Sequence, residues 1–447
     1  MTIALDHITA QLLDAATRAG ATSAEASAGY GEAEDIAVRG GEIETSERSE
    51  GVELGLRVFL GDRSATVSGN LYDSDTITTM AERAIAMAKV APIDETRALA
   101  DPEQWAQDRD MARLDLADPS GALGTDQLID LSHRLENAAL IDGIAQVSTA
   151  GASYNQSHVM SANSLGFSAE YRRTSSSLGV VALAHGASGM VRDYDSDSRI
   201  YHSDLRSAEE IGARAAARTL ETLGAVKPPS GRFPVLYDER ISSSIIGHIL
   251  SAMNGSSIVR GASWLRDAMG ETILPTSLSL IEEPHRPRIS KSRLFDAEGL
   301  PTQTAPLIQD GVLTRWILDL AAARKLDLDP TGNAARSIGG APYPATWNIT
   351  MTQSDRSKDD LLADMGTGLL VTSMIGSTIN PTTGDYSRGA SGFWVENGQI
   401  AYPVHECTIA GNLRDMIANM QPANDARVEY ADIVPSLLID GMTIAGA

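Results

Sequence analysis

VLYDERISSSIIGHILSAMNGSSIVRGASWL, residues 235–265, is the stretch whose reading decides the fold. It opens as a short strand after the break Pro228-Pro229-Ser230-Gly231. The next residues read as one amphipathic helix. Ile241, Ile245, Ile246, Ile249, Leu250 and Met253 recur at helical spacing and form one apolar face. Asp238 and Glu239 stand at its front, where negative charge suits the helix dipole. Asn254-Gly255 follows the last apolar residue as a stop signal. Ser244 and His248 share one polar edge of this helix, four residues apart.

That edge is tested first against metal chemistry. A zinc peptidase helix carries two histidines as ligands and a glutamate as general base. Here a run of serines, Ser242 to Ser244, precedes a single histidine. One neutral imidazole does not hold zinc against water without further ligands. The ordinary reading of His248 is a hydrogen-bonded helix histidine. The sharper reading is a metal ligand completed by distant residues.

The pattern on either side assigns the fold class. Before the break, helices are expected over residues 5–19, 73–90, 125–140 and 207–225, where apolar residues repeat at helical spacing. Ser207 with Glu210 makes a capping box for the last of these. Between them the period changes to strands. Residues 24–69 read as three runs, with Gly40-Gly41 and Gly61-Asp62 as turn signals. Val52, Leu54, Leu56 and Val58 alternate, so one face of that strand is expected to be buried. Residues 92–125 are rich in Pro, Asp and Gly and read as a long surface connection. Residues 144–201 read as antiparallel strands joined at Asn163-Ser164-Leu165-Gly166 and at His185-Gly186. His158, His185 and His202 in this block are too far apart for a local ligand pair and read as solvent-facing.

After residue 265 the chain is rich in short strands and turns, with hairpin signals at Asp310-Gly311 and Glu396-Asn397-Gly398. Short helices are expected over 319–326, 359–365 and 412–420, and strands over 347–351, 368–374 and 436–439. The expectation is an α+β protein. A helix and antiparallel-sheet domain, residues 1–226, precedes a strand-rich domain, residues 227–447, that carries the serine-rich helix.

Composition excludes several functions. The 447 residues carry 36 Lys and Arg against 59 Asp and Glu, a formal charge of −23. Nucleic-acid binding needs basic surface to displace counterions, so direct contact with DNA or RNA is not expected. An anionic membrane is disfavoured for the same reason, and no apolar run reaches the length that spans a bilayer. Cys407 is the one cysteine, which rules out an intrachain disulfide. The start of the chain lacks the basic residues and apolar core of a signal peptide. Together these features lead us to expect a cytoplasmic protein. Neither a Gly-x-Ser-x-Gly elbow nor a phosphate-binding Gly-x-x-x-x-Gly-Lys-Ser/Thr motif is present.

Three long stretches carry a resemblance: FDAEGLPTQTAPLIQDGVLTRWILD at 295–319, DPTGNAAR at 329–336 and STINPTTGDYSRGASGFWVENGQIAYPVHECTIAGNL at 377–413. They resemble the TldD/PmbA family, in its PmbA (TldE) branch, and the likeness runs along almost the whole chain. The resemblance implies a cytoplasmic proteolytic assembly of two related subunits that cuts unfolded or leader-bearing peptides. The TldD-type partner carries a His-Glu-x-x-x-His helix and a distant cysteine that hold zinc; the PmbA-type subunit lacks that motif. An older family name is modulator of DNA gyrase, and the charge here makes such an effect indirect.

On this sequence the motif positions fall on Ser243-Ser244-Ile245-Ile246-Gly247-His248, and only the last histidine is kept. Ser243 stands for a ligand and Ser244 for the general base. No cysteine precedes Pro435-Ser436-Leu437, where the family's metal ligand would lie. No metal or cofactor is therefore expected in this chain. Cys407 reads as a small buried side chain, although His405 and Cys407 could share a strand face as a functional pair. The polar loop 379–389 reads as a structural turn or as a wall that meets peptide through Asp385 and Arg388. Three functions compete: a non-catalytic subunit beside a TldD-type partner, a self-sufficient metallopeptidase with a rearranged site, and a homodimeric peptide-binding module without proteolysis.

Overall fold

The computed structural model describes residues 3–186 and 189–447. The first half is one antiparallel sheet of long strands: β1 (Ser23–Arg39), β2 (Glu42–Leu60), β3 (Arg63–Gly69), β4 (Gln146–Asn163), β5 (Ser168–Gly186) and β6 (Gly189–Arg199), in the order β3-β2-β1-β4-β5-β6. Gly40-Gly41 and Gly61-Asp62 make the first two turns, as their residues dictate. The two runs read within residues 24–45 instead join into β1 and the start of β2, without a break near residue 34. The His185-Gly186 turn signal leads into residues 187–188, which lie outside the described residues.

Helices α1 (Leu5–Arg18), α2 (Ser74–Val90), α3 (Thr125–Ala139) and α4 (Ala208–Glu221) cover one face of this sheet. The even-numbered residues of β1 show why. Ala24, Ala26 and Ala28 join the core under α1 and α2, while Ile36 and Val38 join the core under α3 and α4. Side chains alternate across a strand, so the odd-numbered residues face the other way. That second face carries Glu25, Ser27 and Gly29 on β1 and Gly55 and Arg57 on β2, and the second half of the chain lies against it.

The second half begins with β7 (Gly231–Tyr237), followed by α5 (Glu239–Ala252) and a short α6 (Gly255–Val259). A small sheet gathers β8 (Leu280–Glu282), β9 (Ala305–Gln309) and β10 (Val312–Leu313); α7 (Leu320–Leu326) and the paired β11 (Ala334–Ala335) and β12 (Tyr343–Pro344) follow. Next come β13 (Ile349–Met351), α8 (Lys358–Met365), β14 (Gly368–Ile379), β15 (Asp385–Glu396), β16 (Gln399–Asn412) and α9 (Leu413–Ala418). The chain closes with β17 (Gln421–Pro422), β18 (Asp432–Ile433) and β19 (Leu437–Ala445). The main sheet runs β16-β15-β14-β7-β19-β17, and β16 also pairs with β19, so the sheet curls until its edges meet.

Alternation along β7 sorts the two layers of this half. Val235 and Tyr237 pack with Ile245, Ile246 and Ile249 of α5, whereas Leu236 packs with Leu361, Leu362 and Met365 of α8. The serine-rich helix is therefore a core element first. It ends at Ala252, and the Asn254 side chain accepts the Ser256 N–H at 3.0 Å to start α6. The stop signal thus also starts a new turn of helix.

Residues 92–125 are not the free surface connection that their composition suggests. Ala106, Met111, Leu114 and Leu116 are buried with Phe167 and Ile200 of the first half and Leu294 and Phe295 of the second. The apolar residues are few and irregularly spaced, yet they seal the seam between the halves. The histidines of the first sheet also differ from expectation. His158 meets Glu170 at 2.6 Å and His202 meets Asp118 at 3.0 Å, so each is tied to a carboxylate; His185 is exposed.

The halves are joined through charge. Glu25 lies between Arg57, at 3.0 Å, and Arg336 from the loop after β11, also at 3.0 Å. Glu25 and Arg57 are each only 6% exposed. Next to them the chain packs too closely for a side chain: a Cβ on Gly55 would lie 1.8 Å from the Ile338 carbonyl oxygen. Burial alone would raise the Glu25 carboxyl, but Arg336 and Arg57 outweigh it and hold the group below its ordinary value of 4.5. The folded protein thus keeps Glu25 charged more readily than the unfolded chain does. Its contribution to stability is complete above pH 4.5 and is lost as pH falls through the lower folded value. Glu25→Ala, which strands two buried guanidiniums, should cost about 3–5 kcal/mol in urea unfolding at pH 7. The gap between wild type and variant should shrink in acid; an equal gap at pH 7 and pH 3 would contradict this account.

Candidate functional site

The positions of interest lie on α5 and on the hairpin β15–β16 beside it. Asp238 caps α5, accepting the Arg240 N–H at 3.3 Å. The Arg240 guanidinium forks onto Asp193 of β6 at 2.9 and 3.1 Å and ties the start of the helix to the first half. From there α5 is a regular helix, and regularity disperses the three motif positions. In such a helix residues five apart diverge by about 140°.

Ser243 opens onto a cleft of about 360 Å³ between the two halves, with Glu239, Arg427 and Asp432 on its wall. The Ser244 hydroxyl is spent within its own helix, donating to the Ile241 carbonyl at 2.7 Å. His248 turns toward β15. Its ring stands edge-on to Tyr386, with centroids 5.8 Å apart and planes at 70°. Its Nε2 is buried without a hydrogen-bond partner, so the hydrogen-bonded histidine read from the sequence is corrected. Tyr386 in turn meets the Tyr237 hydroxyl at 3.4 Å. Burial, and after it the charge of Arg388, pull the His248 imidazole below its ordinary 6.5.

The donor set therefore does not fit a zinc ion. One imidazole faces tyrosines, one hydroxyl is bound to backbone, and the other faces a separate cleft. A hydroxyl is in any case a poor zinc ligand. No step of metal chemistry can be derived from these residues.

Of the two loop residues, Arg388 comes near His248 and Asp385 does not. Tyr386 and Arg388 share the parity of β15 that packs toward α5, and Asp385 has the other. The Arg388 Nε donates to the Gly376 carbonyl at 2.8 Å. Asp385 is exposed and holds its own turn, accepting from the Thr383 hydroxyl at 2.7 Å and the Asn412 amide at 3.2 Å. Those bonds keep its carboxyl below the usual range.

Cys407 is buried, and its thiol donates to the Ala390 carbonyl at 3.2 Å. His405 does not join it in a pair. Glu406 takes a left-handed φ of 49° at a bulge between β15 and β16, which breaks the alternation that would put residues 405 and 407 on one face. Burial pushes the Cys407 thiol up to about 11.

Glu239 was legible only as an acid at the start of a helix. In the structure it lines the cleft with Ser243, one helical turn away, and Arg427 lies 3.7 Å from its carboxylate. Burial, and after it the neighbouring Asp238 carboxylate, push the Glu239 carboxyl up to about 7. Burial opposes charge on Asp238 too, but Glu239, Lys358 and Arg240 together hold that carboxyl well below the usual range. A pair of adjacent acids split in this way leaves Glu239 able to exchange a proton near neutrality. The signal that could have found it is the doublet Asp238-Glu239 at a helix start, read with the burial that only the fold supplies.

Two outcomes follow. The unfolded chain binds a proton on His248 near pH 6.5, while the folded protein resists it, so stability is complete above 6.5 and erodes as pH falls below it. In His248→Phe that part of the slope between pH 8 and pH 5 should vanish from urea midpoints; an unchanged slope would refute the burial account. Cys407 should ignore a thiol reagent at pH 8 until the protein is unfolded, and rapid labelling of the native chain would contradict its burial.

Comparison with known proteins now bears on this geometry. Models of PmbA/TldA metallopeptidase domains match residues 24–88 as domain 1, 118–223 as the central domain and 230–446 as the C-terminal domain. The chain is 36% identical over 414 residues to the metalloprotease PmbA of Escherichia coli O157:H7, covering 92% of this chain and 89% of that protein. It is 33% identical to a PmbA homologue of Haemophilus influenzae, covering 97% and 94%. Among solved structures, a Bacteroides thetaiotaomicron protein assigned as a candidate modulator of DNA gyrase superposes with a TM-score of 0.90 at 27% identity, covering 99% of both chains. TldE of Thermococcus kodakarensis has the same fold, with a TM-score of 0.85 at 19% identity over 98% of this chain and all of that one. With its sequence, its domains and its fold in agreement from β1 to β19, the chain belongs to the PmbA/TldD metallopeptidase family.

Proposed function

We propose that this chain is the non-catalytic subunit of a two-subunit metallopeptidase of the cytoplasm, acting on unfolded or leader peptides beside a TldD-type partner that holds the zinc. One observation carries the reading. At the three positions where the family's active helix places its chemistry, this helix has a serine facing a cleft, a serine bonded to its own backbone, and a histidine sealed against Tyr386. The metalloprotease name of the Escherichia coli relative then describes an activity of the assembly. The scaffold around the lost site is complete, which suits a subunit that shapes a chamber and holds peptide. In this reading Asp385, at the exposed start of β15, and Arg388, three residues further along on the side that faces His248, are the two positions through which the strand meets substrate.

The chain purified alone should cut no unstructured peptide and should bind far less than one zinc per molecule by elemental analysis. Adding a partner with the His-Glu-x-x-x-His helix should restore cleavage, and a chelator should abolish it. In that pair His248→Ala of this chain should change the rate by no more than about twofold, because His248 stabilises no transition state. Chelator-resistant cleavage by the chain alone would overturn the proposal. Loss of both zinc and activity in His248→Ala would instead establish a self-sufficient enzyme. Peptide binding without cleavage by the reconstituted pair would leave a binding module, alone or as a homodimer.

A further inference from the structure

The second face of the first sheet carries a feature that the lost metal site does not explain. Arg173 of β5 and Arg293, from the loop before β9, both line a small enclosed cavity of about 50 Å³. Neither guanidinium has an acidic oxygen within 4.0 Å among the described residues. Arg173 donates to the backbone carbonyls of Ser290 and Ser292. Arg293 lies over the Trp347 ring, 3.8 Å from its centroid, and its Nε is buried with no hydrogen-bond partner. The one carboxylate in the cavity wall, Asp296, is already committed: it accepts the N–H groups of Glu298 and Leu300 at 2.9 Å and of Ala334 at 3.0 Å. Arg336, the third cation in the wall, is neutralised by Glu25.

Two buried guanidiniums side by side with no carboxylate in direct contact are costly. Burial, and after it the charge of Arg293, pull Arg173 down to about 10, so both stay charged at neutral pH. Elsewhere buried arginines meet an acid directly: Arg57 and Arg336 contact Glu25, and Arg206 and Arg218 contact Asp195. Here the nearest acid, Asp296, stands in the cavity wall beyond ion-pair distance, with its oxygens taken by backbone N–H groups. A single water needs about 10–15 Å³ of such volume, so the cavity has room for both oxygens of a carboxylate. The planar fork of arginine matches that group.

The cavity also has an approach. It shares Val159, Arg173 and Ile338 with an open groove of about 710 Å³ that crosses the sheet over Gly29, Gly31 and Gly51. The far wall of the groove carries Glu53 of β2, and the near wall Arg173 of β5. Three strand spacings separate them, about 14 Å, the length of roughly four extended residues. One end is acidic and the other is cationic, which gives the groove the polarity of a peptide.

We propose that Arg173 and Arg293 form a carboxylate pocket at the closed end of this groove, and that the groove holds an extended peptide with its C-terminal or side-chain carboxylate against both guanidiniums. The inference concerns what this chain binds alone and stands whether or not a partner supplies catalysis.

The test is fluorescence anisotropy on the full chain without a partner. The probes are one unstructured octapeptide, labelled at its N-terminus, in three forms: free C-terminal acid, C-terminal amide, and amide with one internal aspartate. The free acid should bind at least about tenfold tighter than the plain amide. Arg173→Met and Arg293→Met should each bring the acid down to the level of the amide. Recovery of affinity in the aspartate form identifies a side-chain carboxylate as an accepted ligand; no recovery restricts the pocket to the chain terminus. Equal binding of all three forms by the wild-type chain, or no binding of any, overturns the proposal, and this comparison decides even where a variant fails to fold. Binding as expected with no cleavage by the reconstituted pair would refute the two-subunit reading and leave the pocket standing.

Discussion

Glu25 is buried, and it is charged because guanidiniums reach it from two parts of the chain that lie about 280 residues apart in register. Arg57 comes from the neighbouring strand, and Arg336 from a loop of the second half. Desolvation opposes the carboxylate, and either arginine alone would have a weaker hold on it. The same arrangement recurs on β6, an edge strand whose inward residues are Asp193, Asp195 and Asp197, all buried. Arg240 of α5 takes the first, Arg206 and Arg218 the second, and Arg199 the third. Buried pairs of this kind add little net stability compared with apolar packing, because desolvation consumes most of the attraction. The two that cross between the halves, Glu25–Arg336 and Asp193–Arg240, penalise other ways of docking them, since a slip leaves those charges buried without partners. The apolar cluster of Met111, Leu114, Phe167, Leu294 and Phe295 supplies attraction without direction, and the ion pairs supply the direction.

That docking explains why the first sheet needs two different faces. On β1 the even-numbered residues Ala24, Ala26, Ala28, Ile36 and Val38 meet the helices and are apolar. Its odd-numbered residues meet the second half, which brings backbone and charge close to the sheet. Gly29 and Gly55 have no side chain because Ile338 occupies that space. Where the loop lifts away from the sheet, the same face becomes the groove that runs from Glu53 to Arg173. Glu53 and Arg173, at its two sides, are charges of that face that make no ion pair among the described residues.

Much of this was legible in the sequence, and the reasons are local. The helices before residue 226 were set by apolar spacing and, for α4, by Ser207, whose hydroxyl accepts the Glu210 N–H as one half of the capping box read from the sequence. Gly40-Gly41, Asp310-Gly311 and Asn397-Gly398 fixed turns because few other residues accept a positive φ there. The motif positions on α5 were legible through the family likeness. What the sequence hid is what depends on distant partners. Residues 92–125 looked like surface because their few apolar residues have no period, yet they meet a core built from three other segments. His158 and His202 looked free because Glu170 and Asp118 are not helical or sequential neighbours. The raised carboxyl of Glu239 and the unpaired guanidinium of Arg293 come from burial between halves, which no local pattern encodes.

The serine-rich helix separates what holds the fold from what could carry chemistry. The residues of α5 that hold the second half together are Ile245, Ile246 and Ile249, each almost fully buried against β7, β14 and β19. Ser243, Ser244 and His248 lie on the other, half-buried sides of the same helix. Packing falls to one set of residues and the polar positions to their neighbours along the same helix. A substitution at position 243 alters the wall of a cleft and removes no core contact. A change to serine at position 244 is absorbed by a hydrogen bond to the Ile241 carbonyl. By contrast, His248 is packed on Tyr386, and Tyr386 is joined to Tyr237 at the centre of the core. Of the three positions it is the one with a structural reason to keep an aromatic ring, and it is the one where a ring remains.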